Sequence, residues 1–81
     1  RKMQTGLYKH YKGNLYEVVG VVCHSETSEK LILYRALYDC PDLEEDFGKH
    51  PFFVRPYGMF FEEIEYEGKK IKRFEFLRES L

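Results

Sequence analysis

The chain has no tryptophan, two cysteines, three prolines and a formal net charge of only -1. Each shortage excludes something. Two cysteines, Cys23 and Cys40, cannot build the set of bridges that staples small secreted domains. Their separation of seventeen positions allows one bridge, but the expected state is two reduced thiols in an intracellular protein, with Cys23 partly buried at a strand end. Charged residues make up 33% of the chain and nearly cancel, which removes both the global basic field of a nucleic-acid binder and the acidic tail of a solvating segment. Net charge is silent on distribution, so a local basic face stays open. No apolar run reaches about eighteen residues and no secretory leader is visible, so no membrane partner is expected and the location expected is cytoplasmic. No window sustains a 3.6-residue period, which disfavours a helical protein.

What the chain has is aromatic surface. Seven Tyr and seven Phe, in a hydrophobic fraction of 43%, are too much for a disordered segment. A chain of 81 residues forms one domain, 1–81, because a second could not bury its own core. The core is expected across about 6–77, with an acidic loop at 39–51.

The central stretch is Leu15 to Tyr38, two apolar runs around the polar HSETSE. It predicts a long β-hairpin, since β-branched and aromatic residues fill the apolar positions. Tyr16, Val18 and Val22 are expected on one face, Val19, Val21 and Cys23 on the other, with Gly20 a bulge or bend point. In the second strand Leu31, Leu33 and Leu37 share a face interrupted by Arg35, while Ile32, Tyr34, Ala36 and Tyr38 share the opposite one. Before the hairpin, residues 1–5 are polar and expected to fray, Gly6 to Lys12 is a short strand, and Gly13-Asn14 turns the chain. After it, residues 39–51 allow one helical turn around 42–46 capped by Asp42. Phe52 to Arg55 is a short strand ended by Pro56, and 56–60 turns a corner as a 3₁₀-like element.

The last hairpin is the best determined. A two-residue turn at Glu67-Gly68 opposes Tyr66 to Lys69, Glu65 to Lys70, Ile64 to Ile71 and Glu63 to Lys72, so hydrophobic and charge pairing agree on one register. Taken together, these elements predict an all-β fold: a five- to six-stranded antiparallel SH3-like barrel or strongly curled sheet, with a short 3₁₀ turn near 56–60.

GLYKHYKGNLYEV, HSET followed by LYRALY, FVRPYGMFFEEI and GKKIKRFEFL together resemble the DUF1653 family, a short bacterial domain of unknown function, over roughly residues 6 to 77. The pattern falls on Gly6, Tyr8, His10, Tyr11, Lys12, Gly13 and Tyr16, then His24, Glu26, Thr27, Tyr34 and Tyr38. It continues on Arg55, Pro56, Met59, Phe60, Glu62, Arg73 and Phe74. Phe53 stands where the family often shows Trp, and the 39–50 loop is more acidic than the pattern. The resemblance implies a compact bacterial cytoplasmic β domain and brings no catalytic residues.

The candidate site is a polar set with aromatics beside it: His10, Tyr11, Lys12, Glu26, Tyr34, Arg55 and Arg73. Lys12, Arg55 and Arg73 are of the type that holds an anionic group while tyrosines stack a planar ring, the logic of small nucleotide and single-strand binders. The competing role is structural, with Arg55 and Arg73 tied to Glu26 or Glu62 and the tyrosines in the core. The structural role is the expected one. It makes the chain a non-catalytic structural or interaction protein, which can include a weak homodimer through exposed aromatics. The alternative is a binding module for a nucleotide, nucleic acid or other anionic small molecule. No cofactor is expected. Cys23, His24, Cys40 and His50 match no compact zinc spacing. A Cys–His–Glu trio from Cys23 or Cys40, His24 or His10, and Glu26 lacks any strained nucleophile turn, so an enzyme is the least favoured class.

Overall fold

The computed structural model describes residues 3–81; Arg1 and Lys2, the first of the residues expected to fray, lie outside the described part. Gly6–His10 forms β1, Leu15–Cys23 β2 and Lys30–Ala36 β3. A 3₁₀ turn at Pro41–Leu43 leads into α1, Glu44–Phe47. Phe52–Pro56 is β4, Tyr57–Phe60 α2, Glu63–Tyr66 β5, Lys69–Lys72 β6 and Phe74–Arg78 β7. Five strands form one sheet in the order β4-β3-β2-β1-β7, and β5 pairs with β6 as a separate two-stranded ribbon.

This overturns the expected fold class. The large sheet ends on β4 at one side and β7 at the other, and among the described residues these two strands do not pair. The sheets are therefore open, and the fold is mixed, with helical turns α1 and α2; it is neither an all-β SH3-like barrel nor a strongly curled sheet. The physical reason is the β5–β6 ribbon. Its strands were expected to complete a barrel wall, but they pair only with each other, so the wall stays incomplete. The corner expected as 3₁₀ at 56–60 is a single α-helical turn, α2, and the 3₁₀ geometry sits at Pro41–Leu43 instead. Asp42 does not cap a helix: α1 follows Leu43 with no side-chain capping bond.

Alternation on the sheet sets the core. Gly6, Tyr8 and His10 face the same side as Tyr16, Val18, Ile32, Tyr34, Phe53, Arg55, Phe74 and Phe76, as the cross-strand register requires. The register slips between Val18 and Gly20, so Val19 is the extra residue of a bulge. The slip moves Val21 and Cys23 onto the Tyr16 face, correcting the expected partition, while a bend near Gly20 was foreseen. Cys23 is exposed rather than partly buried, and both thiols are free. Phe60, delivered by α2, fills the middle of the inner face: it is fully buried and stacks on Phe74 with ring centroids 4.1 Å apart and planes 3° from parallel. Tyr8 and Tyr34 meet Phe60 edge-on at 5.6 and 5.3 Å. Edge-to-face and offset rings add roughly 0.5–1.5 kcal/mol per pair beyond area burial.

The last hairpin has the predicted register, Glu63 with Lys72 through Tyr66 with Lys69. Its turn places Glu67 at φ 52° and Gly68 at φ 79°, the primed geometry that suits strand twist. Gly6 answers a different demand. At φ 129° its backbone approaches β7 so closely that a Cβ would lie 2.7 Å from the Glu79 carbonyl oxygen.

Candidate functional site

His10 ends β1 and points to the inner face, where its ring meets Phe74 edge-on at 4.9 Å and lies 4.6 Å from Tyr11. The chain reverses immediately afterwards: Gly13 adopts φ 109°, and the His10 N–H donates to the Asn14 carbonyl at 2.8 Å. In that turn the Lys12 N–H donates to His10 Nδ1 at 3.2 Å. A neutral imidazole accepting at Nδ1 carries its proton on Nε2. Partial burial lowers the His10 pKa, and Arg55, Arg73 and Lys12 lower it further in that order. The charges of Lys12, Arg55 and Arg73 are thus all felt at this imidazole.

Both arginines are tied into the fold. Arg55 on β4 donates from Nε to the hydroxyl of buried Tyr34 at 3.2 Å and lies over the Phe74 ring at 5.5 Å. Arg73, between β6 and β7, donates to the Met59 carbonyl at 3.2 Å and pairs with Glu62 at 3.0 Å. Its main chain is a brace as well, since its carbonyl accepts from the Tyr11 N–H at 2.9 Å and its N–H donates to the Glu62 carbonyl at 3.0 Å. Tyr11 meets Tyr66 of β5 edge-on at 5.2 Å, and the Lys12 ammonium lies 5.8 Å from the Tyr11 ring. These contacts hold the ribbon against the end of β1.

Glu26 is not brought to this group. It is exposed in the turn beyond β2, its N–H donating to His24 Nδ1 at 3.2 Å. Tyr34 is four strand positions from the start of β3, roughly 13 Å further along. Tyr34 itself belongs to the core, with Tyr16, Phe53, Phe60 and Phe74 around it. Tyr16 shares a hydroxyl hydrogen bond with Tyr38 at 2.6 Å; burial, then that bond, pushes its pKa up.

The ribbon leaves a cleft of about 670 Å³ against the β1/β7 pair, lined by His10 and Tyr11 on one side, Ile71 and Lys72 on the other, and bordered by Gln4, Lys9, Glu75 and Phe76. A smaller cavity of about 300 Å³ adjoins it and shares Gln4, Lys72 and Phe76. Sequence reasoning did not find Lys72, Ile71, Phe76 or Gln4. The hairpin register does place Ile71 and Lys72 on opposite faces of β6, but only the tertiary contact of Tyr11 with Tyr66 tells which sheet they confront. Among the described residues no three His, Cys, Asp or Glu side chains are grouped to hold a metal ion, and no helix is long and apolar enough to cross a membrane.

An open five-stranded sheet with a ribbon folded over one end is an architecture already represented among solved structures. The model of the family described as "Protein of unknown function (DUF1653)" matches residues 6–76, and the chain belongs to that family. A crystal structure of a DUF1653 protein from Bordetella bronchiseptica is 27% identical, with a TM-score of 0.80 over 93% of this chain and 87% of that one. No curated protein matches.

Proposed function

We propose that the protein is a non-catalytic binding module for a small anionic ligand, seated in the cleft between the β1/β7 pair and the β5–β6 ribbon. The observation that carries this is the cleft itself, within the size range of ligand sites and lined by Lys9, Lys72 and His10 against the one carboxylate of Glu75. Arg55 and Arg73 supply field rather than contact, because their hydrogen bonds are spent within the fold. Lys72 and Lys9, which line the cleft, form no ion pair among the described residues and are the groups that meet the anion. Titration of isotope-labelled protein with inorganic phosphate tests this. Saturable shifts centred on the amides of His10, Tyr11 and Lys72, weakened in Lys72→Met, are expected. Shifts that never saturate, or that Lys72→Met leaves intact, refute it.

A second role, as an interaction protein that forms a weak homodimer, is favoured by the outer face of the edge strand β4, where Phe52 and Val54 are 57% and 54% exposed. Sedimentation over a hundredfold range of concentration tests it. An unchanging monomer mass removes that role.

A further inference from the structure

Resting on that proposal, the shape of the neighbouring cavity narrows the ligand class. We infer that the ligand is an anion joined to a flat apolar body, such as an aromatic phosphate or carboxylate, with its charge in the Lys72–His10 cleft and its ring in the aromatic recess beside it. The recess has five aromatic walls, Tyr8, Tyr57, Phe61, Phe74 and Phe76, with Met3, Gln4 and Lys72 completing its lining, and its volume is about 300 Å³. An apolar cavity of about 150 Å³ admits a benzene ring, so one ring and its linking atoms fit. The two spaces share part of their walls. Gln4, Lys72 and Phe76 border both, so one lysine serves the charged end and the aromatic end of a single ligand. A lysine shared by both spaces lays its stem along the rings and offers its ammonium to the anion. A bare inorganic anion would use the ammonium and leave the aromatic walls unmatched. An amphipathic one uses both.

The geometry also argues against a nucleic-acid strand as occupant. Strand binders offer open aromatic platforms on which successive bases stack. Here Tyr8 and Phe74 are buried at the floor of a recess, and the more accessible pair, Tyr11 and Tyr66, is closed edge-to-face on itself with Lys12 beside it. A stacking base would have to break that pair.

The test compares three probes on the whole chain by NMR titration: inorganic phosphate, phenyl phosphate and an oligothymidylate. Phenyl phosphate is expected to bind at least tenfold tighter than phosphate, with intermolecular Overhauser contacts from its ring to Tyr57, Phe61 and Phe76. Phe61→Leu should bring phenyl phosphate down toward the phosphate level and leave phosphate itself unchanged, whereas Lys72→Met should weaken both. The contacts in the unmodified protein stand as evidence even where Phe61→Leu folds poorly. If phosphate binds in the cleft and phenyl phosphate binds no tighter, the two-part ligand is wrong while the anion module survives. If neither binds, both fall. Tighter, competing binding of the oligothymidylate overturns the small-ligand inference in favour of a strand.

Discussion

Replacing Arg55 by methionine separates the two roles that an arginine near a cleft can have. Methionine keeps the unbranched stem and removes the guanidinium. Two losses follow. The hydroxyl of Tyr34, a buried residue, loses the donor 3.2 Å away, and leaving such a group unpaired costs about 1–3 kcal/mol. The guanidinium 5.5 Å from the Phe74 ring centre also goes, worth about 0.5–1 kcal/mol at a partly exposed position. Relief from desolvating a cation offsets some of this, so the expected destabilisation is about 2 kcal/mol. For a domain of this size, roughly 4–12 kcal/mol stable in total, that is a lowering of the melting temperature by roughly 8–16 °C. Tyr34→Phe in the same background removes the orphaned hydroxyl, so the double variant should be less damaged than the sum of the singles by about 1 kcal/mol. Arg55 is also the largest charge acting on His10, so its loss should let the His10 pKa rise. Urea denaturation of the four proteins and an NMR titration of the His10 ring provide the readings. Additive single effects below about 0.5 kcal/mol, with an unmoved His10 titration, would refute the brace assignment.

Three other outcomes are expected. Gly6→Ala combines a disallowed φ of 129° with a Cβ driven into the backbone of Arg78 and Glu79; it should cost at least about 2 kcal/mol in denaturation or detach β7, seen as faster amide exchange there. His10 has a pKa below its ordinary 6.5 in the fold, so the unfolded chain binds its proton first as pH falls. Stability should therefore be flat above about pH 6.5 and decline as pH drops toward the folded pKa, and the part due to this ring should vanish in His10→Gln. Phe60→Ala empties the middle of the core and should cost about 3–5 kcal/mol by chemical denaturation, or prevent folding outright, whereas Phe60→Leu should cost clearly less.

The hairpin at 63–72 was legible because three independent signals coincide there: charge pairs, the Ile64–Ile71 pair and a Glu-Gly turn. Local signals of that kind do not say what a finished hairpin packs against, and this is where the barrel expectation failed. Apolar residues on both faces of β2 suggested closure; the bulge at Val19 instead puts Tyr16, Val18 and Val21 on one face, of which Val18 is buried while Val21 stays as exposed as Val19. His10, Lys12, Arg55 and Arg73 were singled out because cations and imidazole stand out in an aromatic chain, and of these only His10 lines the cleft. Lys72 did not stand out, being one lysine among several on a solvated ribbon. Glu26 was grouped with the arginines for its charge, but it sits exposed in the β2–β3 turn, where its N–H donates to His24.

The arginines also determine how the cleft can be tuned without touching a ligand. Arg73 is held by Glu62, whose side chain is 52% exposed, and an ion pair with so wet a partner contributes less than about 1 kcal/mol. Glu62→Gln keeps a hydrogen-bond acceptor for Arg73 while deleting the negative charge that offsets it. Stability should change little, but the His10 ring should feel a less compensated cation, so its pKa should fall further below 6.5. The cleft becomes more positive by the same step, and phosphate should bind modestly tighter, by about two- to fivefold at low salt, with the gain fading as ionic strength rises. Arg73→Gln should reverse both signs, raising the His10 pKa and weakening phosphate, and it should also loosen the ribbon because the Met59 carbonyl loses its donor. A purely structural Arg73 predicts no tightening in Glu62→Gln, so opposite shifts in the two variants, read from His10 titration and phosphate affinity together, separate a field-setting arginine from a simple brace.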